Sequence, residues 1–113
     1  MSAITTHVLD TSRGCPAKGV PVTLEAHDNR GWKPIGRGTT DVDGRITAFT
    51  FADAEFQSGV YRLIFDTQEY FARQSLNTFY PQVIVLFRIE NPTQHYHVPL
   101  LLSPFGYSTY RGS

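Results

Sequence analysis

The 113-residue chain is long enough for one domain, residues 1–113, whose core needs neither disulfides nor metals. Ten basic residues against ten acidic ones leave zero net charge, which excludes the basic footprint of a nucleic-acid binder and the acidic tail of a solvating segment. A single cysteine, Cys15, excludes an intramolecular disulfide framework and favours a reducing compartment, and no apolar run approaches the roughly 18 residues that a membrane span needs.

In chain order the dominant hydrophobic period is two, so strands are expected throughout. Met1 to Thr6 hold neither the basic region nor the apolar stretch of a secretory leader, and the last three residues are not the peroxisomal Ser-Lys-Leu address. A cytoplasmic location is expected, with the peroxisome left open. Ile4 to Leu9 read as a first strand, closed by the turn formers Asp10 to Gly14. Cys15 follows in a turn, as an ordinary loop thiol. Val20 to Ala26 alternate apolar with polar, as in a half-buried strand. Asp28-Asn29-Arg30-Gly31 turns the chain back into Trp32 to Thr39, where Pro34 suggests a sheet edge. Asp41 to Gly44 form another turn. Arg45 then stands at the mouth of a strand, Ile46 to Phe51.

Val60 to Phe65 form the next strand. Gln68 to Gln74 lack Gly and Pro and place Tyr70, Phe71 and Gln74 at helical spacing, which predicts one or two helical turns. Val83 to Phe87 are continuously apolar, which predicts a central strand buried on both faces. His95 to Leu102 and Tyr107 to Arg111 form a last pair joined by Ser103 to Gly106. Eight short strands with regularly spaced turns and one short helix indicate an all-β protein, a two-sheet β-sandwich.

Period-two geometry then sorts side chains into faces. Tyr96, Val98, Leu100 and Leu102 are uniformly apolar and belong to the core. His95, His97, Pro99 and Leu101 point the other way. On the first strand Thr5, His7 and Leu9 go together, and on the last Ser108 and Tyr110 do. With these strands side by side, an outer face carries His7, His97, Leu9, Leu101, Ser108 and Tyr110, half polar and half apolar, as a ligand site or an interface would be.

The final 19 residues add a carboxylate at Ser113, the Arg111 guanidinium and the Tyr110 phenol to the two imidazoles of His95 and His97. A solvated edge strand is the bland account of the same residues. His27, beside a turn, has nothing converging on it. His95 and His97, joined by His7, are also a donor set that zinc can use to activate water. Arg45 after Asp43-Gly44 is suited to clamping an anion through its planar fork.

Three motifs carry a resemblance that spans essentially the whole chain: Thr6-His7-Val8-Leu9-Asp10, Asp43-Gly44-Arg45, and His95 through Pro104 running on to Tyr110-Arg111-Gly112-Ser113. With these the sequence resembles the 5-hydroxyisourate hydrolases, the transthyretin-related enzymes of urate degradation. The terminal Tyr-Arg-Gly-Ser separates those hydrolases from the hormone-carrying transthyretins. The resemblance implies a transthyretin-like sandwich and a homotetramer, a dimer of dimers with active sites at the dimer–dimer interface. It also implies opening of the six-membered ring of 5-hydroxyisourate to 2-oxo-4-hydroxy-4-carboxy-5-ureidoimidazoline, with no metal or organic cofactor.

Catalytic roles are implied for His7, Arg45, His97 and Ser113. Substrate contacts are implied for His7, Arg45, Tyr110, Arg111 and Gly112, with Ser108 and Leu101 of the outer face beside them. Either His7 or His97 can serve as the base. Two other readings stay open: a transthyretin-like carrier of small aromatic ligands, and a zinc hydrolase.

Overall fold

The computed structural model describes residues 3–51 and 56–113. Met1 and Ser2, part of the stretch read above for a leader, lie outside them. Two sheets face each other. The first holds β1 (Ile4–Asp10), β2 (Cys15–Pro16), β5 (Arg45–Ile46), β9 (Tyr96–Ser103) and β10 (Gly106–Thr109). The second holds β3 (Pro21–Asp28), β4 (Gly31–Thr39), β6 (Thr50–Phe51), β7 (Gly59–Phe65) and β8 (Val83–Ile89). One helix, α1 (Thr67–Ala72), connects β7 to β8 and is capped by the Asp66 carboxylate, which accepts from the Glu69 amide.

The alternation read from the sequence holds where it matters for the site. Ile4, Thr6, Val8 and Asp10 of β1 point inward, as do Tyr96, Val98, Leu100 and Leu102 of β9, all buried. The apolar ones among them meet Val22, Leu24, Leu63, Phe65, Val83 and Val85 from the other sheet in one apolar cluster. Each such fully buried Leu, Val or Phe contributes about 1.5–3 kcal/mol relative to exposure. The inward Asp10 is not an orphan: its carboxylate accepts from the Tyr70 hydroxyl at 2.6 Å, the Ser12 hydroxyl at 2.6 Å, and the amides of Ser12 and Arg13. That cluster ties the end of β1 to the helix.

Two strand expectations are corrected. The run Ile46 to Phe51 is not one strand. Its ends belong to different sheets, β5 pairing with β1 and β6 pairing with β4, so the chain crosses the sandwich between them. Val83 to Phe87 do not form a central strand buried on both faces. β8 is the edge of its sheet, with Ile84 46% and Leu86 63% exposed. Pro34 sits opposite Glu25 where the β3·β4 register slips between Leu24 and Glu25, a bulge that accommodates a residue without an N–H. Cys15, read as a turn residue, makes a two-residue bridge with Asp10 and is half-buried.

Site position follows from the first sheet. β1 and β9 pair in parallel, with Thr5 opposite His97, His7 opposite Pro99 and Leu9 opposite Leu101. β5 lies on the other side of β1 and sets Arg45 opposite His7. β10 returns antiparallel to β9, with Ser108 opposite Leu101. Beyond β10 the chain rejoins β9 in a single bridge, where the Gly112 amide donates to the His97 carbonyl at 2.8 Å. Between the two contacts stands Pro99, which has no N–H for the ladder, and the Thr109 hydroxyl donates to its carbonyl at 2.7 Å.

Candidate active site

The turn before β5 delivers Arg45. The Asp41 carboxylate accepts from the amides of Asp43 and Arg45, and the Gly44 amide donates to the Asp41 carbonyl. Gly44 has φ +74°, and a Cβ there would meet the Val8 carbonyl oxygen at 2.3 Å. A side chain is thus excluded on two counts, by backbone conformation and by contact. The Val8 amide donates to the Gly44 carbonyl at 2.7 Å, which seats the turn on β1. Arg45 is thereby fixed at its backbone while its side chain stays exposed. Among the described residues the guanidinium meets no carboxylate and no hydrogen-bond acceptor.

Arg45, His97, His95, Thr5, Thr6, Thr47 and Ser113 line a cleft of about 260 Å³ on the outer face. Thr5 is buried beneath it, and its hydroxyl bridges two imidazoles. Its Oγ1 lies 2.8 Å from His97 Nδ1 and 2.9 Å from His95 Nε2. The two rings are 6.4 Å apart and 25° from parallel. Among the described residues no partner meets the other nitrogen of His97, Nε2. His97 is half-buried, and its pKa is held below the ordinary histidine value, first by burial and then by the nearby charges of His95, Arg45 and His7. A neutral imidazole anchored through one nitrogen with the other unpaired has the arrangement that general-base chemistry at neutral pH requires.

The cleft unites three of the four residues expected to be catalytic: Arg45, His97 and Ser113. His7, one step along β1 on the same face, stands opposite Arg45 and diagonal to His97. Gly112 is pressed against the His97 ring, and a Cβ on it would lie 2.5 Å from His97 Cδ2. Leu101 and Ser108 share the outer face but sit four residues from His97, roughly 13 Å along the strand. Arg111 turns to the opposite side, its guanidinium 4.6 Å from the Tyr96 ring centroid. With the exposed Tyr110 it lines a second cleft of about 330 Å³, between Leu86 and Arg88 of β8 and Tyr96 and Val98 of β9.

Thr5 was not among the expected site residues, and His95 was expected only in the terminal cluster and the zinc donor set, with no catalytic or substrate-binding role. The available signal was parity: Thr5 shares a face with His7, and His95 with His97. Among the described residues no three His, Cys, Asp or Glu side chains are arranged to hold a metal ion.

The HIUase/Transthyretin family model matches residues 4–112. A 5-hydroxyisourate hydrolase from Salmonella dublin is 48% identical over 110 residues, covering 97% of this chain and 80% of its own length. The 5-hydroxyisourate hydrolase of Mus musculus is 42% identical over 114 residues, with 99% and 96% covered. Among solved structures, the Klebsiella pneumoniae 5-hydroxyisourate hydrolase superposes with a TM-score of 0.83 at 36% identity, covering 97% of this chain and 98% of that one. Sea bream transthyretin in complex with thyroxine gives 0.89 at 33% identity, covering 98% and 95%. By sequence over nearly its full length and by fold, this chain belongs to the HIUase/Transthyretin family.

Proposed function

We propose that this protein is an enzyme of urate degradation that hydrolyses 5-hydroxyisourate. One observation carries the reading: an unpaired guanidinium, Arg45, and an anchored imidazole, His97, converge on one cleft in a chain whose relatives are named for that reaction. The carrier alternative draws on the likeness to sea bream transthyretin. A carrier of small aromatic ligands is served by an apolar surface, whereas this face presents His7, His95, His97 and Arg45.

The chemistry follows from the groups present. Water bound against His97 Nε2 loses a proton to it as the oxygen attacks the ring carbonyl carbon. Negative charge grows on the carbonyl oxygen, and the Arg45 fork is the cation placed to receive it. The proton on Nε2 then passes to the leaving nitrogen as the C–N bond breaks. His7, opposite Arg45, orients the substrate or the water. Gly112 and Ser113 close the cleft over His97, and Tyr110, which lines the second cleft in its own subunit, would contact substrate only across a subunit interface.

The assembly belongs to the same proposal. β8 and β10 are sheet edges, and Leu86, Tyr107 and Tyr110 are exposed along them, surface that a second copy would cover. A homotetramer with the outer faces turned toward one another would place Leu101, Ser108 and Tyr110 beside the cleft of each subunit. Light scattering at micromolar concentration tests the assembly, and a 12.7 kDa species alone would remove it. The activity is tested by generating 5-hydroxyisourate with urate oxidase and following its ultraviolet decay. Acceleration in proportion to added protein is expected, and a decay rate unchanged by the protein would remove the hydrolase reading.

A further inference from the structure

Resting on that hydrolase reading, we propose that His97, Thr5 and His95 form a proton relay, which moves the positive charge created by general-base catalysis away from the reacting centre and onto solvent-facing His95. The geometry requires unequal roles. One hydroxyl has one proton, so Thr5 donates to only one of the two imidazole nitrogens near its Oγ1, and the other ring must donate to it. His97 acts as a base at Nε2 only when its own proton is on Nδ1. Nδ1–H then donates to Thr5, and Thr5 donates to the bare Nε2 of His95. The whole chain of donors is set by one requirement at the catalytic ring.

The relay balances. As water adds to the carbonyl, its proton goes to His97 Nε2. The Nδ1 proton goes to Thr5 Oγ1, and the Thr5 proton goes to His95 Nε2. His97 and Thr5 end neutral, and His95, already protonated on Nδ1, becomes an imidazolium exposed to water. When the C–N bond breaks, each proton moves back one place, and Nε2 of His97 gives its proton to the leaving nitrogen. All three groups return to their starting state.

The advantage lies in where the charge would otherwise stay. His97 is half-buried, with His7 and Thr5 on β1, Arg45 on β5, His95 in the loop just before β9, and Ser113 on the terminal segment around it. Arg111 from that segment lies over neighbouring Tyr96. Burial and the charges of His95, Arg45 and His7 all disfavour an imidazolium at His97. His95 is exposed, so water solvates the charge there.

Nitrogen-15 NMR of the substrate-free protein reads the two tautomers directly. His97 is expected to be protonated on Nδ1 with Nε2 bare, and His95 to have Nε2 bare. The opposite pair of tautomers would overturn the relay. In kinetics, Thr5→Val and His95→Gln should each lower kcat by roughly 10–10²-fold, part of what general acid–base catalysis supplies, with KM little changed. Thr5→Ser, which keeps the hydroxyl, should restore most of the rate. The double variant should be no slower than the slower single one, because both break one chain. Multiplicative losses would overturn the relay.

If Thr5→Val does not fold, the wild-type tautomers and the His95→Gln and Thr5→Ser kinetics still decide. Failure of the hydrolase reading looks different: a wild-type chain inert toward 5-hydroxyisourate, whatever its tautomers.

Discussion

Adding one methyl group at Gly112 is the sharpest probe of the site. A Cβ there would stand 2.5 Å from His97 Cδ2 and 3.2 Å from both His97 Cγ and Pro99 Cγ. Ordinary carbon contacts lie at about 3.5–4.0 Å, so ring or tail must yield by roughly 1 Å. The ring is held from the other side by Thr5, 2.8 Å from Nδ1, and the tail is held by the Gly112 amide, 2.8 Å from the His97 carbonyl. Either the base leaves its anchor or Ser113 leaves the cleft. A misplacement of about 1 Å costs on the order of 10²-fold in rate, so Gly112→Ala should lower kcat/KM by about that factor.

The core residues beneath, Val98 and Leu100, are untouched, and the thermal midpoint by circular dichroism should stay near that of the wild type. Gly106→Ala is the matched control on the same terminal segment. Its Cβ would meet only Ser103 Oγ, at an unstrained 3.7 Å, so it should leave the decay rate of 5-hydroxyisourate unchanged. A Gly112→Ala enzyme within about twofold of wild type would refute the idea that the terminal segment positions His97.

His97→Asn removes the titratable base while keeping some hydrogen bonding, and stopped-flow turnover should fall by roughly 10²–10⁴-fold. Arg45→Lys keeps the charge but loses the planar fork, so steady-state kinetics should show a raised KM as well as a lowered kcat. Because the folded pKa of His97 is held below the ordinary value of 6.5, the folded chain binds fewer protons there than the unfolded one. The stability linked to His97 should be complete above pH 6.5 and lost as pH falls through the lowered value. Comparing denaturation midpoints of wild type and His97→Asn across that range checks the sign. Tyr70→Phe deprives buried Asp10 of its 2.6 Å donor and should cost about 1.5–3 kcal/mol in urea unfolding, with activity retained in the folded fraction.

The histidine face was legible because parity along a strand needs no knowledge of neighbours. His97 faces away from Tyr96 and Val98 whatever stands beside them. The two strand misreadings have local causes. The apolar run at Val83 looks the same whether a strand is enclosed or forms an edge, and Ile84 and Leu86 are outward-facing residues on that edge. Ile46 to Phe51 alternate acceptably, and nothing within the run marks the point where the chain leaves one sheet for the other. Thr5 stayed hidden for a different reason. A threonine on a strand is unremarkable until the register Thr5 opposite His97 is known, and that register joins residues 92 apart in sequence. Arg111, expected at the substrate, instead seats over Tyr96 beside the edge strand β8, a placement that follows from the packing of the two sheets and that no local pattern in the sequence marks.

The parallel pairing of β1 with β9 also sets the order of events during synthesis. Ile4 meets Tyr96, and Asp10 meets Leu102, so the first strand made waits for nearly the last before one of its sides is filled. Until then β1 has only the short β2 and β5 on its other flank. Pairings this distant in sequence form slowly, since the chain must close a long loop before any contact rewards it. On the ribosome, the second sheet emerges whole while the first remains a lone ribbon with an open edge. That interval is when the nascent chain is most exposed to capture by a neighbouring copy or a chaperone. The His97 face is therefore assembled late, and a chain arrested before β9 would have all five strands of the second sheet but no imidazole opposite Thr5.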